Sequence, residues 1–223
     1  MRKTPEKTAA KTTETITIAP PNMRTLEFTI IGTAPYVQHK FGKKAREKMI
    51  VTHKAGSQAR SKRTREPRDF DDDYREAMYL SDDGWCGIPA SCFRNGMISA
   101  CRTVGYKMTH AKLAVFVEAD GYDADDATPL VRIKGKPQQH ITQARNDNGS
   151  CDLRIRPMWK TWQLMLRIRF DADMFSAQDV TNLLARVGLQ GGIGEGRPDS
   201  KKSAGLGWGL FRIATEAEQK VAA

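Results

Sequence analysis

Alternation of apolar and polar residues predicts two half-buried strands. In TLEFTII, residues 25–31, Leu26, Phe28 and Ile30 alternate with polar neighbours, which is the period of a strand with one buried face. The longer stretch WQLMLRIRF, residues 162–170, alternates in the same way. Its outward positions include two arginines at 167 and 169, so we expect one face of this strand in the core and the other face to be basic.

Helical periodicity predicts two helices. Between Pro89 and Gly105, apolar residues recur at a spacing of three or four; proline is typical of a helix start and glycine of a helix end. A second helix is predicted from Ser176 to Gly188, where Ser176 and Asp179 match a capping box. Each helix has one apolar stripe, so each is expected to pack one side against a sheet.

Four shorter apolar runs complete the order of elements. KLAVFVEA (112–119) and WGLFRI (208–213) predict strands, and LVRIKG (130–135) with CDLRIRPMW (151–159) predicts an inserted pair of strands whose polar side is shared by Arg132, Arg154 and Arg156. Without insertions the order is strand, helix, strand, strand, helix, strand. This order predicts an α+β fold of the ferredoxin-like (RRM-like) class, with an antiparallel sheet covered by two helices on one face.

The chain divides into one domain with two tails. Residues 1–22 contain too little apolar surface to fold and are predicted to form a disordered tail, and residues 216–223 form a second tail. The domain spans residues 23–215. Inside it we predict an inserted segment at 43–80 and a glycine-rich loop at 190–209. The inserted segment is long, and its first part is polar and densely charged.

Composition narrows the function classes. The formal net charge is +10 and the pI is near 9.6. Such an excess favours a polyanionic partner, although solubility alone explains it equally well. The four cysteines form no CxxC pair and have no histidines at zinc spacing, so neither a metal site nor a disulfide framework is predicted. No apolar run is long enough to span a membrane and no signal peptide is present, so we expect a cytoplasmic protein.

The glycine-rich stretch GIGEGRPDSKKSAGLGWG, residues 192–209, combines many glycines with Arg197, Lys201 and Lys202. Glycine lets a backbone approach a ligand closely and aim successive N–H groups at a phosphate. Neither a P-loop nor a dinucleotide fingerprint fits, because here a helix comes first and a strand follows. The alternative is a connection in which the glycines only form turns.

Other candidate binding residues lie near predicted element ends. Tyr36 is the aromatic residue that we expect to stack on a base, since it stands at a strand end. Arg94 and Arg102 lie on neighbouring parts of one helix side, and Arg94 is close to the positive end of the helix dipole. The alternative for both arginines is an ordinary solvated position.

Three stretches together resemble a known family, the repeat-associated mysterious proteins (RAMP superfamily) of CRISPR systems, and in particular their Cas7-like backbone subunits. IIGTAPYVQHKF (30–41) is similar to the family's first strand and the turn after it, and GIPASCFRNGMISACR (87–102) resembles its helix start. GLGWGLF (205–211) resembles the end of its glycine-rich loop before the last strand. The three stretches occur in the family's order and span most of residues 25–213.

The resemblance implies a ferredoxin-like core, a helical filament of subunits and a nucleic-acid strand in a basic groove. The segment 43–80 then corresponds to a projecting thumb that contacts the neighbouring subunit or kinks the nucleic acid. The helix start departs from the family pattern at Ala90 and Cys92, and the loop contains Glu195. These departures leave open a stand-alone or mobile-element relative and DNA as the ligand. The contacts implied by the resemblance are Gln38, His39, Lys40, Ser91, Arg94, Asn95, Arg197, Lys201 and Lys202.

The sequence therefore predicts a non-catalytic protein that binds single-stranded nucleic acid, RNA in preference to DNA, and oligomerises along the strand. The expected partners are the strand, further copies of the chain and other CRISPR or mobile-element proteins. No catalytic residue, metal ligand or cofactor is predicted. Two alternatives stay open: a metal-independent endoribonuclease of the same superfamily with His39 as the base, and a scaffold protein whose loop makes only protein contacts.

Overall fold

The computed structural model describes residues 18–56, 67–145, 149, 151–200, 205–215 and 217–218. Several predicted stretches lie outside this part of the chain: residues 1–17 of the N-terminal tail, residues 57–66 of the inserted segment, residues 201–204 of the glycine-rich loop with Lys201 and Lys202, and most of the tail at 216–223. Within the described residues, no helix is long and apolar enough to cross a membrane.

Strands and helices are mixed along the chain, as an α+β fold requires. The strands are β1 Met23–Gly32, β2 Tyr36–Val37, β3 Gly87–Pro89, β4 Val115–Glu118, β5 Gly121–Tyr122, β6 Pro129–Lys134, β7 Gln138–Arg145, β8 Cys151–Trp159, β9 Gln163–Asp171 and β10 Phe211–Ile213. The helices are α1 Lys43–Ala55, α2 Phe70–Glu76, α3 Ala90–Ala100, α4 Met108–Ala114 and α5 Ala177–Arg186.

The larger of two antiparallel sheets is built around β1 and β9. These strands pair along their whole length, from Met23 opposite Asp171 to Ile31 opposite Gln163. β10 pairs with the other edge of β1, and β4 pairs with the other edge of β9, so the strand order through the centre is β10-β1-β9-β4. β6 also pairs with the start of β9 and extends the sheet through β3 and β5.

The hydrophobic core lies between the larger sheet and two helices. On β9, Leu164, Leu166, Ile168 and Phe170 are buried and the residues between them are not, which confirms the predicted alternation. α3 and α5 contribute buried apolar side chains to the same core, including Phe93. Burial of each such side chain contributes about 1.5 to 3 kcal/mol of transfer free energy, so this one-sided packing holds the helices on the sheet.

Both predicted helices begin and end close to the expected residues. α3 continues as a short 3-10 turn, Cys101–Val104, and stops at Gly105, which has the left-handed conformation typical of a helix end. α5 has the capping box that its sequence predicts: the Ser176 side chain accepts the backbone N–H of Asp179, and the Asp179 carboxylate accepts the backbone N–H of Ser176. Local sequence signals were therefore sufficient to predict the end of α3 and the start of α5.

Two predicted strands are shorter than expected. The stretch 112–119 begins as α4, and its strand starts only at Val115, because Ala111 and Ala114 pack their small side chains into the core at helical spacing. In the stretch 208–213 the strand starts at Phe211, since Trp208 and Gly209 form a turn. Short apolar runs suit either a helix or a strand, and here the tertiary packing decides.

The predicted inserted pair of strands is not formed, because its two strands belong to different sheets. β6 belongs to the larger sheet, whereas β8 pairs with β7 over eight positions, from Gln138 opposite Met158 to Arg145 opposite Cys151. β7 carries polar residues at most positions and was not predicted as a strand. β2 adds to the other edge of β8, which completes a smaller sheet with the order β2-β8-β7.

The charged segment after β2 contains helices where a polar loop was expected. α1 occupies Lys43–Ala55, and α2 begins after Asp69, whose carboxylate accepts the backbone N–H groups of Asp71 and Asp72. Three aspartates in the first turn of α2 also suit the positive end of the helix dipole. The acidic run is therefore a helix-start signal.

The glycine-rich loop is tied to the core at several backbone positions. The N–H of Gly209 donates to the carbonyl of Pro35 at 2.7 Å, and its carbonyl accepts the N–H of Ile193 at 3.1 Å. Ile193 itself is buried. Gly209 has φ +70, and a Cβ at this position would lie 1.8 Å from the carbonyl oxygen of Ile193. At this point the loop requires glycine because two backbone segments approach each other closely.

Substitution of Gly209 and of Gly207 therefore separates two costs of an added Cβ: the steric clash with a nearby backbone and the strain of a positive φ. Gly207 has a similar φ of +73, but a Cβ added there would meet no atom within 4 Å, so Gly207→Ala is the matched control. We expect Gly207→Ala to lower the free energy of unfolding by about 1 to 2 kcal/mol, the cost of a left-handed alanine. Gly209→Ala should cost about 3 kcal/mol or more, because overpacking is added. Urea unfolding measures both, and equal losses would contradict this account.

Candidate functional site

A cleft with a volume of about 620 Å³ lies between α3 and the glycine-rich loop. The segment after β2 forms one end of it, and β8 contributes one side chain. The lining residues are Tyr36, Gln38, His39, Tyr79, Pro89, Ser91, Cys92, Asn95, Gly96, Ser99, Arg154, Gly191, Gly192, Ile193, Gly194, Glu195, Gly196, Arg197, Asp199 and Ser200. Two regions that the sequence separates by about a hundred residues, the start of α3 and the loop, therefore form one surface.

One stripe of α3 forms the helical wall of the cleft. Ser91, Asn95 and Ser99 follow each other at intervals of four residues, which places them on the same side of the helix. Phe93 and Met97 point into the core on another side. Small polar side chains on this wall leave room for a ligand and offer it both hydrogen-bond donors and acceptors.

The loop wall is held against β2 by one backbone hydrogen bond. The N–H of Glu195 donates to the carbonyl of Val37 at 2.9 Å. Gly194 makes this approach possible: its φ is +79, and a Cβ there would lie 2.5 Å from the same carbonyl and 2.6 Å from the Tyr36 ring. Since β2 also pairs with β8, the loop, β2 and β8 meet at one corner of the cleft.

Four charged or titratable side chains gather at this corner. The Glu195 carboxylate accepts a hydrogen bond from Nε of Arg156 at 2.8 Å and lies 3.6 Å from a guanidinium nitrogen of Arg154. Nδ1 of His39 lies 3.9 Å from the same carboxylate. The Glu195 side chain is thus enclosed by two arginines and an imidazole.

His39 is held neutral by its surroundings. Burial lowers the pKa of its imidazole below the usual 6.5, Arg156 and Arg154 lower it further, and Glu195 partly opposes them. Its side chain is still 49% exposed, so a ligand can reach it. A neutral imidazole has one donor and one acceptor nitrogen, and it can either hydrogen-bond a ligand or accept a proton.

The opposite end of the loop is joined to α3 by charged side chains. Oγ of Ser99 donates to Asp199 at 2.6 Å, and Arg102 lies 3.3 Å from the other carboxylate oxygen of Asp199. Arg197 donates to the carbonyl of Gly194 at 3.0 Å, within the loop. Arg102 therefore stands at the margin of the cleft, where it holds the loop in place.

The structure brings together part of the predicted site. His39, Ser91, Asn95 and Arg197 line the cleft with accessible polar groups, and Arg102 borders it. Tyr36 and Gln38 lie beneath it. Lys40 and Arg94 do not line it.

The stacking prediction for Tyr36 is wrong. Tyr36 is 1% exposed, and its ring lies against Trp159 and Trp162 with centroid distances of 5.5 and 5.7 Å. Burial holds the pKa of its hydroxyl well above the usual value. Gln38 is equally buried; its amide donates to Tyr36 and to the Gly87 carbonyl, and its oxygen accepts the N–H of Tyr79. Both side chains support the floor of the cleft.

The predicted nucleic-acid contact of Lys40 is also wrong. Its ammonium group is 5% exposed and binds Asp123 at 2.7 Å and Asp125 at 2.6 Å. Burial lowers the pKa of Lys40, but the two carboxylates outweigh this effect and hold the pKa above its ordinary value. Asp123 is fully buried and also accepts the backbone N–H of Leu80. The charge of Lys40 is thus used within the protein.

Arg94 likewise has an internal role. Its Nε donates to the carbonyl of Val115 at 2.9 Å, a second nitrogen donates to the carbonyl of Lys112, and the guanidinium lies 5.4 Å from the centroid of the Phe116 ring. It therefore joins α3 to the junction of α4 and β4. A helix side chain near an N-terminus could not be assigned to this junction from spacing alone.

Several residues of the site were not among the predicted contacts, including the charged residues Arg154, Arg156, Glu195 and Asp199. The alternation in CDLRIRPMW does place both arginines on one face of β8, which was the available signal. Glu195 was noted only as a departure from a family pattern. Around the cleft, the four arginines at 102, 154, 156 and 197 stand against two carboxylates, Glu195 and Asp199, so the described part of its rim keeps a positive balance.

The outer face of β9 is less basic than its sequence suggests. Arg167 binds Asp120 at 2.7 Å and lies 3.7 Å from Glu118, so two carboxylates accompany its charge. Arg169 lies 5.5 Å from the centroid of the Phe116 ring. Within the described residues, the cleft therefore offers a polyanion more arginines at one place than this face does.

Two observations concern metal binding and thiol chemistry at the cleft. Among the residues that the structure describes, no group of three or more His, Cys, Asp or Glu side chains is placed to hold a metal ion. Cys92 lines the cleft, but burial raises the pKa of its thiol to about 11, so the reactive thiolate is scarce at neutral pH.

No family model matches the chain, and no curated protein matches it significantly. The resemblance to Cas7-like subunits therefore stays a prediction.

Replacement of Lys40 tests its assignment to the internal ion pair. We expect Lys40→Met to lower the free energy of unfolding by about 3 kcal/mol, because it leaves the buried Asp123 without its cation. Lys44→Met is the matched control, since Lys44 binds Asp72 at the surface and surface pairs contribute little. Urea unfolding of both variants measures the difference, and similar small losses would show that Lys40 is not important for stability.

Proposed function

We propose that this protein binds single-stranded nucleic acid, RNA in preference to DNA, in the cleft between α3 and the glycine-rich loop. One observation carries the proposal: the loop faces the Ser91–Asn95 wall across the cleft, with Arg154 and His39 at one end and Arg197 on the loop. These groups come from four separate parts of the chain and converge on one concave surface that is about equally polar and apolar. Binding is non-catalytic in this proposal.

The chemistry of the wall suits a sugar-phosphate backbone. Guanidinium groups bind phosphate oxygens with two parallel hydrogen bonds. Ser91 lies in the first turn of an 11-residue helix, where the dipole favours negative charge, and both Ser91 and Asn95 can hydrogen-bond phosphate or ribose oxygens. Such contacts position a strand without reading its bases, so we expect little sequence preference.

We further propose that the core is ferredoxin-like and that the chain is a Cas7-like subunit or a stand-alone relative. Two observations support the first part. The strands β10-β1-β9-β4 lie in this order in the sheet and are all antiparallel. Along the chain, α3 comes between β1 and β4, and α5 comes between β9 and β10. The second part is supported by the helical insertion after β2 and by the glycine-rich loop before β10, which correspond to the thumb and the loop that the resemblance implies.

Assembly along the strand completes the proposal. α1 presents a run of half-exposed apolar side chains, Met49, Ile50 and Val51, which a neighbouring copy would cover. Copies that bind neighbouring stretches of one strand gain affinity from each other without new contacts to the ligand. We therefore expect a homo-oligomer whose size follows the length of the strand.

Binding to a labelled RNA of about 20 nucleotides, which exceeds the roughly 4 to 16 nucleotides that one small binding module covers, tests the proposal. Arg154→Ala with Arg197→Ala should weaken binding about tenfold or more and lower the salt dependence, since each lost phosphate contact removes about 0.7 from the slope. Arg24→Ala with Arg186→Ala removes the same charge from exposed sites away from the cleft and should have a smaller effect. Fluorescence anisotropy across a salt series measures both.

Two outcomes would overturn the proposal. Equal losses for the two double variants would mean that overall charge, not the cleft, attracts the strand. Binding that is absent, or that does not respond to salt, would favour a scaffold protein. The same measurement with DNA of identical sequence decides the preference for RNA, because the ligands then differ in the 2′-hydroxyl and in the methyl group of thymine.

A second candidate function is metal-independent RNA cleavage with His39 as the base. It is favoured by one specific observation: His39 is neutral, half-exposed and close to two arginines that could stabilise negative charge on a phosphate. General-base catalysis requires a neutral imidazole within reach of the ribose hydroxyl.

Incubation with RNA in the presence of a chelator separates binding from cleavage. The non-catalytic proposal predicts intact RNA for the unaltered protein, for His39→Ala and for His53→Ala, which replaces an exposed histidine on α1. RNA that is cut by the unaltered protein and by His53→Ala, but not by His39→Ala, would establish the ribonuclease instead. Gel analysis of the products over time gives the answer.

A further inference from the structure

The Glu195 carboxylate occupies the place of a bound anion. It receives the Nε–H of Arg156 at 2.8 Å, and Arg154 and His39 lie at 3.6 and 3.9 Å. The Arg156 side chain is only 14% exposed, and its other hydrogen bond goes to the carbonyl of Ile155. Two guanidinium groups and an imidazole thus converge on one carboxylate in a corner of the cleft where Arg156 is largely buried and the other three side chains are partly exposed.

A phosphate oxygen can use the same donors. Arginine binds carboxylate and phosphate with the same planar arrangement of N–H groups, and phosphate offers more acceptor oxygens and, as a diester or pyrophosphate, at least equal charge. The nearby imidazole adds a further hydrogen-bond donor or acceptor. The strand fixes the positions of these donors, because Arg154 and Arg156 extend from neighbouring same-face positions of β8 and β8 pairs with β7 at both residues.

Displacement of the carboxylate requires only a change in side-chain rotamer. The backbone of Glu195 is fixed by its N–H bond to Val37, so the loop can stay in place. The Glu195 side chain is 26% exposed, and the cleft that it lines is open to solvent. Rotation into water therefore leaves the carboxylate hydrated and frees both arginines.

We propose that Arg154, Arg156 and His39 form a phosphate subsite that Glu195 fills in the free protein and that a phosphate of the ligand takes over. The identity of that phosphate as part of a nucleic-acid strand rests on the function proposed above, whereas the subsite itself does not. Glu195 acts as an internal competitor: the apparent affinity for phosphate is reduced by the fraction of molecules in which the carboxylate occupies the subsite. Weak single anions are excluded, and ligands with several phosphates are favoured.

Titration with inorganic pyrophosphate, followed through the His39 imidazole resonance by NMR, tests the subsite without any oligonucleotide. Glu195→Gln keeps the side-chain shape and removes the competing charge, so pyrophosphate should bind about tenfold more tightly than to the unaltered protein. Asp199→Asn is the matched control, because it removes one charge from the same loop but from the pair with Ser99 and Arg102. It should change the affinity much less.

A second variant keeps the test decisive if Glu195→Gln is less stable. Arg154→Gln replaces a side chain that is 41% exposed, and it should weaken pyrophosphate binding and reduce the gain from Glu195→Gln when the two are combined. Equal affinities for Glu195→Gln and Asp199→Asn would overturn the proposal. Weaker binding by Glu195→Gln would also overturn it, since Glu195 would then be needed to orient the arginines.

The labelled RNA used above separates this inference from the proposed function. If Glu195→Gln tightens the binding of pyrophosphate while neither protein binds RNA, the subsite stands and the nucleic-acid function fails. If RNA binds to both proteins but pyrophosphate affinity is unchanged, the function stands and the internal competitor is rejected. Tightening of both by about tenfold supports the two proposals together.

Discussion

Attachment of the glycine-rich loop to the segment after β1 is the constraint on which the cleft depends. Two backbone hydrogen bonds make this attachment, Gly209 to Pro35 and Glu195 to Val37, and a third, Ile193 to Gly209, joins the two ends of the loop. Because these bonds are made by the main chain, the path of the described loop residues near them does not depend on side chains. That path sets the distance between the loop and α3, and it delivers Glu195 to the arginines of β8. A loop without these contacts would provide charge but no preformed surface.

The close approach of these backbone segments explains why the loop has glycine at two of its positions. Close contact between two backbones leaves no room for a Cβ at Gly194 or Gly209, and both residues also have positive φ. The two interpretations of the sequence, a turn-forming connection and a ligand-binding loop, are therefore not exclusive. Glycines fix the fold at two places, and five residues that follow Gly194 line the cleft: Glu195, Gly196, Arg197, Asp199 and Ser200. The same rigidity favours binding, because less conformational entropy is lost when a ligand arrives.

Local patterns were sufficient for the parts of the fold that local interactions determine. The alternation of β9 and the capping box of α5 depend on neighbours within a few residues, so sequence reasoning placed them correctly. The site was predicted only in part because side chains are claimed by distant partners. Lys40 meets Asp123 more than eighty residues further on, and Arg94 bonds carbonyls at the start of β4. The residues next to Lys40 and Arg94 in the sequence do not indicate these partners. Only the tertiary structure shows that both charged groups are bound within the protein.

Under the proposed function, cleft size and charge together predict that one copy binds a strand weakly. A volume of about 620 Å³ is that of a small-molecule pocket and would enclose only a short piece of a strand. Few phosphates can be neutralised there, and Glu195 and Asp199 offset part of the arginine charge, so the counterion release per copy is small. High affinity then requires several clefts on one strand. Cooperative assembly through α1 would supply it, and an internal carboxylate that disfavours isolated anions would make binding depend on that assembly.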